Sequence, residues 1–301
     1  FCQPSYIEEL VKEFDLSDSR IKRIPLRFGI ENDYNPDTMS RKIDASIPYR
    51  RLNMKLYWVA RCYRTQILYA CNFFARYSHC YTRELFDEML HVVLYLKGTI
   101  DWKLEFKVDP NRPLQVTFCC DASYSNVSEQ KSSYGCLGWV QDCLVYSQSS
   151  TLNIRTTSSA ESESNAIFQS CKAAVYVRNW MRAFTRVPEP MFVFNDSTSA
   201  IQILGSRTNA TLSKHFSPRL RYVTELVETG QIQLFHIPRG MNGADILTHS
   251  LARTNFEHGL TLIYGDVGAA GLLEVATRSG GELEFISNMA RAEPLQVPWY
   301  R

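Results

Sequence analysis

Two short apolar runs, each leading into an aspartate, constrain this 301-residue chain more than any other feature. Residues 114–120 run directly into Asp121, and residues 191–194 run through Asn195 into Asp196. Runs this short, bounded by turn residues, suit strands buried on both faces. Residues 135–140 and 143–149 flank Gln141-Asp142, the pattern of two antiparallel strands joined by a tight turn. Thr156, Thr157, Ser158 and Ser159 then offer N-caps for a long helix ending before Pro188, with Ile167, Cys171, Ala174, Val175, Met181 and Phe184 on one stripe. A short helix over 197–204, a helix over 218–228 stopped by Gly230, a strand over 232–237 and a last helix over 242–251 complete the order. Five strands with helices between them predict an α/β fold with a partly parallel sheet covered by helices.

The chain before this has a different texture. Tyr6, Ile7, Leu10, Val11 and Phe14 recur at helical spacing, 28–48 reads as loop, 50–77 as helix, and 84–97 as another helix that Gly98 stops. The break at Asp109-Pro110-Asn111-Arg112-Pro113 divides the chain into a smaller, mainly helical unit (1–110), an α/β domain (111–258) and an extension (259–301) with no legible element. Arg50, Arg51, Lys55, Arg61, Arg64 and Arg76 recur among Tyr and Trp in the first unit. They suit either a surface tracking a nucleic acid backbone or a helix whose aromatics fill the core while its arginines face water.

Composition removes several classes. Apolar residues at 45% and charged residues at 21% exclude wholesale disorder. No run approaches the roughly 18 uninterrupted apolar residues of a membrane span. A charge of +2, from 33 Lys and Arg against 31 Asp and Glu, excludes holding nucleic acid by sheer charge and allows a basic groove. Nine cysteines without a C-x-x-C predict neither a disulfide framework nor a zinc site. The expected setting is intracellular and reducing, with cytoplasm, nucleus and organelle not distinguished. An opening Phe1 followed by many acids before residue 27 resembles no targeting signal, and a preceding segment outside this sequence is expected.

The acids carry the chemistry. If the strands ending at Asp121 and Asp196 are parallel neighbours, both side chains meet at the carboxyl edge of the sheet, where open α/β sheets bind ligands. Glu161 falls in the first turn of the long helix, where the dipole favours an acid, and Asp245 in the first turn of the last. Each alone has a plainer role as turn residue or helix cap. Four like charges drawn together repel one another unless a cation neutralises them. Hard oxygen ligands suit Mg²⁺ or Mn²⁺, and two such ions about 4 Å apart clamp the attacking and leaving oxygens of a phosphodiester.

These strings also resemble a known family. Cys120-Asp121-Ala122-Ser123-Tyr124, Lys131-Ser132-Ser133-Tyr134-Gly135 and Ser158-Ser159-Ala160-Glu161-Ser162-Glu163 are followed by Asn195-Asp196-Ser197-Thr198-Ser199-Ala200-Ile201, Ser213-Lys214-His215-Phe216 and Ala244-Asp245-Ile246-Leu247-Thr248. In this order they resemble the ribonuclease H domain of copia-type LTR retrotransposon polyproteins. Pro48-Tyr49-Arg50-Arg51-Leu52 and residues 93–99 look like the region joining reverse transcriptase to ribonuclease H, so the resemblance runs over about 1–255.

The resemblance implies a ribonuclease H-like mixed five-stranded sheet and a metal-dependent endoribonuclease acting on the RNA strand of RNA/DNA hybrids. Asp121, Glu161, Asp196 and Asp245 would be its catalytic acids and the ligands of two Mg²⁺ or Mn²⁺ ions, with Glu163 not a ligand. Lys131, Lys214, His215, Arg219 and Arg221 would contact nucleic acid, and a separate polymerase chain could accompany the nuclease. Departures are Ala160 for the family's usual Thr and His249 for its Lys. The stretch before Asp245 lacks the mobile His of many cellular ribonucleases H; His236 and Arg239 stand nearest, with surface roles expected. No Tyr-x-Asp-Asp polymerase signature occurs. The competing expectation is a catalytically silent retroelement relic that binds structured RNA or protein within a ribonucleoprotein.

Overall fold

A computed structural model describes residues 1–36, 39, 43–124, 132–205, 217–265 and 271–275. The N-terminal unit holds α1 (Pro4–Glu13), α2 (Tyr49–Cys62), α3 (Leu68–Ala75) and α4 (Arg83–Gly98). The Thr82 side chain caps α4 by accepting from Leu85 N. The sequence predicts one helix over 50–77, but the chain breaks between α2 and α3 at Tyr63 and Arg64. The break turns Arg64 inward: it is 0% exposed, donates to Thr99 O at 2.9 Å and to Thr99 Oγ1, and lies among the rings of Tyr63, Tyr95 and Trp102. A guanidinium stacked on aromatic faces supplies its own polar lining, so this arginine belongs to the core.

The sheet comprises β1 (Val116–Ser123), β2 (Ser133–Val140), β3 (Cys143–Thr151), β4 (Met191–Asn195) and β5 (Ile232–His236), in the order β3-β2-β1-β4-β5. β1–β2 and β2–β3 are antiparallel, while β1–β4 and β4–β5 are parallel. This is the mixed five-stranded sheet expected. The tight turn predicted at Gln141-Asp142 joins β2 to β3, with Gln141 at φ 53. There its side chain donates to Asp109 O and Arg112 O at 2.9 and 2.8 Å, tying the linker to the sheet.

Alternation along β1 sends Val116, Phe118 and Cys120 to one face and Cys119 to the other. The first face packs under α5 (Ser159–Arg182), α6 (Thr198–Gly205) and α7 (Ser217–Glu228). The second shares one continuous core with the N-terminal helices: Cys119, Leu137, Trp139, Phe192 and Phe194 pack in the cluster that holds Leu56, Phe73 and Leu96. Thr65 and Arg61 also bond Ser147 of β3, at 3.1 and 2.6 Å.

The end of the chain departs from expectation. The helix predicted over 242–251 is a five-residue 3-10 turn, Gly243–Leu247, with Asn242 capping it by accepting from Ala244 N. The last α-helix, α8 (Arg253–Tyr264), runs through the boundary drawn at 258. Gly259, a helix breaker in isolation, obscures it in the sequence; here it is buried beside Ile246, which a Cβ added at Gly259 would meet at 3.6 Å. Tyr264 donates to Gln66 at 2.7 Å, and the ring of Phe256 meets Tyr95, so α8 joins the two units. No helix of the described residues is long and apolar enough to cross a membrane.

Candidate functional site

Parallel pairing of β1 with β4 matches Cys119 with Phe194, and continuing that register brings Asp121 level with Asp196 at the carboxyl edge. Asp245 arrives on the 3-10 turn Gly243–Leu247, laid against β2 where Gly135 faces it. A Cβ on Gly135 would stand 2.5 Å from Leu247 Cβ and 3.0 Å from Ala244 O, so the absence of a side chain lets this turn sit on the sheet. Asp121, the cross-strand partner of Gly135, therefore lies beside Asp245.

The fourth acid is Glu163, and Glu161 has another task. Ser158 caps α5 by accepting from Glu161 N at 3.1 Å, and the Glu161 carboxylate turns back to accept from Thr157 N and Thr157 Oγ1 at 2.7 and 2.8 Å. Its reciprocal bonds resemble a capping box and leave it half-buried at the helix start. Two residues on, about 200° around the helix, Glu163 points into the site. Its Oε2 accepts from Asn195 Nδ2 at 2.9 Å. Helical phase could have found this from sequence, because Glu163 precedes Ile167 by four residues and so continues the buried stripe.

Two overlapping groups result. Oxygens of Asp121, Glu163 and Asp196 lie within 4.8 Å of one another, and so do ligand atoms of Asp121, Asp245 and His249. Asp121 belongs to both. Burial, then the neighbouring charge of Asp245, pushes the Asp121 carboxyl up to about 7, against the opposing hydrogen bond from Thr248 Oγ1. Burial and the charge of Asp121 push Glu163 up to about 8. Asp196 is also raised, again by burial first, with Arg239 and a hydrogen bond from Asn242 working against the rise. A desolvated oxygen-rich set with too little cationic compensation fits a divalent metal, which Asp121, Glu163, Asp196 and Asp245 could hold through carboxylate oxygens and His249 through a ring nitrogen.

Buried amides hold the set in place, and the sequence alone did not single them out. Asn195 and Asn242 both donate to Cys120 O, at 3.0 and 2.9 Å, fixing the strand end that carries Asp121. His249 Nε2 stands 3.8 Å from Asp245 Oδ1. A cavity of about 700 Å³ opens over the acids, lined also by Glu31, Tyr69 and Arg76 of the N-terminal unit.

The expected nucleic-acid contacts fare differently. Lys131, Lys214 and His215 lie outside the described residues. Arg219 donates to Asn165 at 2.6 Å and lies over Phe168, so it braces α7 against α5; neither it nor the exposed Arg221 lines the acid cavity. His236 is exposed, with Nε2 3.1 Å from Asp196 O. Arg239, given a surface role by sequence, is exposed yet lines the cavity and acts electrostatically on Asp121 and Asp196.

No protein-family model matches the chain. Among curated proteins it is 23% identical over 258 residues to the "Retrovirus-related Pol polyprotein from transposon TNT 1-94" of Nicotiana tabacum, covering 85% of this chain and 19% of that protein. It is 22% identical over 203 residues to the Transposon Ty1-NL2 Gag-Pol polyprotein of Saccharomyces cerevisiae, covering 66% of this chain and 12% of that one. Among solved structures, the N-terminal RNase H domain of Rv2228c from Mycobacterium tuberculosis aligns at 14% identity and TM-score 0.35, covering 49% of this chain and 97% of that one. RNase H1 from Halobacterium salinarum aligns at 20% identity and TM-score 0.32, covering 44% and 94%. The chain is thus similar to the Pol polyproteins of copia-type retrotransposons, and it spans under a fifth of their length.

Proposed function

We propose that this chain is a ribonuclease H-type nuclease that hydrolyses the RNA strand of RNA/DNA hybrids with two divalent cations, Mg²⁺ or Mn²⁺. The observation that carries the reading is the convergence of Asp121, Glu163, Asp196 and Asp245 from four separate elements, with Asp121 common to two candidate ligand groups. Divalent cations bound there supply Lewis-acid polarisation of the phosphodiester and ready ionisation of water near neutral pH.

The chain's own residues do the positioning. Asn195 orients Glu163 through its amide, and Thr248 holds Asp121 through its hydroxyl. Arg239 places a cation beside Asp121 and Asp196, where the phosphate backbone would come. Discrimination of RNA from DNA would rest on 2′-hydroxyl contacts in the wide minor groove of an A-like duplex. The similarity to Pol polyproteins supports the same reading and suggests a polymerase segment or chain as partner.

The test is cleavage of a hybrid labelled on its RNA strand, with Mg²⁺ or Mn²⁺. The parent and Glu161→Gln cut it, while Asp121→Asn and Glu163→Gln do not. A parent protein that binds but never cuts, where a control nuclease works, leaves the scaffold reading in place. Loss of cutting in Glu161→Gln with retention in Glu163→Gln would overturn the assignment of the fourth ligand.

A further inference from the structure

We infer that Arg76, from the N-terminal helical unit, is a phosphate-gripping residue for the nucleic acid that lies across the acid cavity. The inference rests on the reading of that cavity as a nuclease site and adds a contact from outside the α/β domain. Arg76 follows α3 and lines the same cavity as Asp121 and Asp196. Its guanidinium lies 5.3 Å from the ring centre of Phe73 and 5.9 Å from that of Tyr69, and it donates to Tyr69 Oη at 3.4 Å. Its buried Nε has no hydrogen-bond partner.

No carboxylate pairs with Arg76 among the described residues, although Arg51 and Arg178 each hold one and Arg27 holds two. The acid that lines the wall beside it, Glu31, is occupied elsewhere: it accepts from Ser250 N and Ser250 Oγ, both at 2.6 Å, and from Tyr69 Oη at 2.7 Å. The chain Glu31–Tyr69–Arg76 therefore anchors the cation without neutralising it. An aromatic platform holds the planar fork and lowers the ordering entropy of binding, and an unpaired guanidinium at a cavity mouth is matched by a phosphate, to which it bonds in bidentate fashion. The acids do not call for it, since the charge that opposes their repulsion comes from Arg239. A polyanion lying over the cavity meets both Arg239, which acts on the acids, and Arg76, which the N-terminal unit supplies.

The experiment measures binding of a fluorescein-labelled RNA/DNA hybrid by anisotropy in EDTA over a range of KCl, so hydrolysis plays no part. Arg76→Gln should weaken binding several-fold at low salt and lower the slope of log K against log[KCl] by about one, the share of one phosphate. Arg76→Lys, which keeps charge but loses the fork, should retain the slope. An Arg76→Gln slope equal to the parent's overturns the proposal. So does an equal loss in Arg76→Gln and Arg76→Lys, which would mark a structural role. If the hybrid is never cut in Mg²⁺ yet the slope drops as stated, the nuclease reading fails and the Arg76 contact stands; a cut hybrid with an unchanged slope gives the reverse.

Discussion

Asp121 and Glu163 show how a side chain's neighbours change what it is. Both are carboxylic acids whose folded proton affinity lies far above that of an exposed carboxylate, because burial strips their hydration, and a neighbouring charge adds to this, Asp245 acting on Asp121 and Asp121 on Glu163. The unfolded chain releases these protons near pH 4, whereas the fold keeps them towards pH 7–8, so the folded state binds more protons in that window. Stability contributed by the pair is therefore full below about pH 4 and falls as pH rises through neutrality. His91, buried and lowered from its ordinary value, acts in the opposite sense as pH falls below 6.5. The difference between parent and variant isolates the acids. In EDTA the melting midpoint of the parent should fall by several degrees from pH 6 to pH 8.5, and Asp121→Asn should flatten that fall and melt higher at pH 8.5. Mg²⁺ or Mn²⁺ should restore the parent at high pH and leave Asp121→Asn nearly unmoved. Parallel melting curves for the two proteins would remove the case for a strained acid cluster.

At the scale of elements, the site depends on how closely two backbones approach. β2 must pass beneath the 3-10 turn that carries Asp245, and Gly135 leaves room for it. Gly135→Ala forces Leu247 and the turn away, at a cost of about 1–3 kcal/mol for overpacking. The shift should separate Asp245 from Asp121, so the variant is expected to melt lower and to bind Mn²⁺ more weakly, read by titration calorimetry. Gly240, with open space around its missing side chain, provides the contrast. The strands and helices around this turn were legible because their signals are local: alternating or continuous apolar runs, Ser158 before a helix, Gln141-Asp142 between strands. α8 was not legible, because Gly259 breaks its pattern and its stability comes from contacts with Gln66, Tyr95 and Ile246 that are distant in sequence.

At the scale of the molecule, both faces of the sheet are covered among the described residues. α5, α6 and α7 cover one side, and the N-terminal helices with α8 cover the other, in a single core that runs from Ile7 to Leu272. A fragment beginning at residue 111 should therefore expose Trp139, Phe192 and Phe194, bind a hydrophobic dye, self-associate and melt well below the full chain. A monomeric fragment as stable as the parent would show that the two units merely touch. Local signals were enough for the order of the five strands, the partly parallel sheet and three of the four converging acids, Asp121, Asp196 and Asp245, because strand ends and short-range periodicity are written in neighbouring residues. Tertiary structure alone decided that the Glu163 carboxylate joins the acids while Glu161 bonds back to Thr157, that Arg64 is buried, and that Arg76 lines the acid cavity. Those outcomes depend on which face of a helix meets which neighbour, and that is set by packing between segments far apart in the chain.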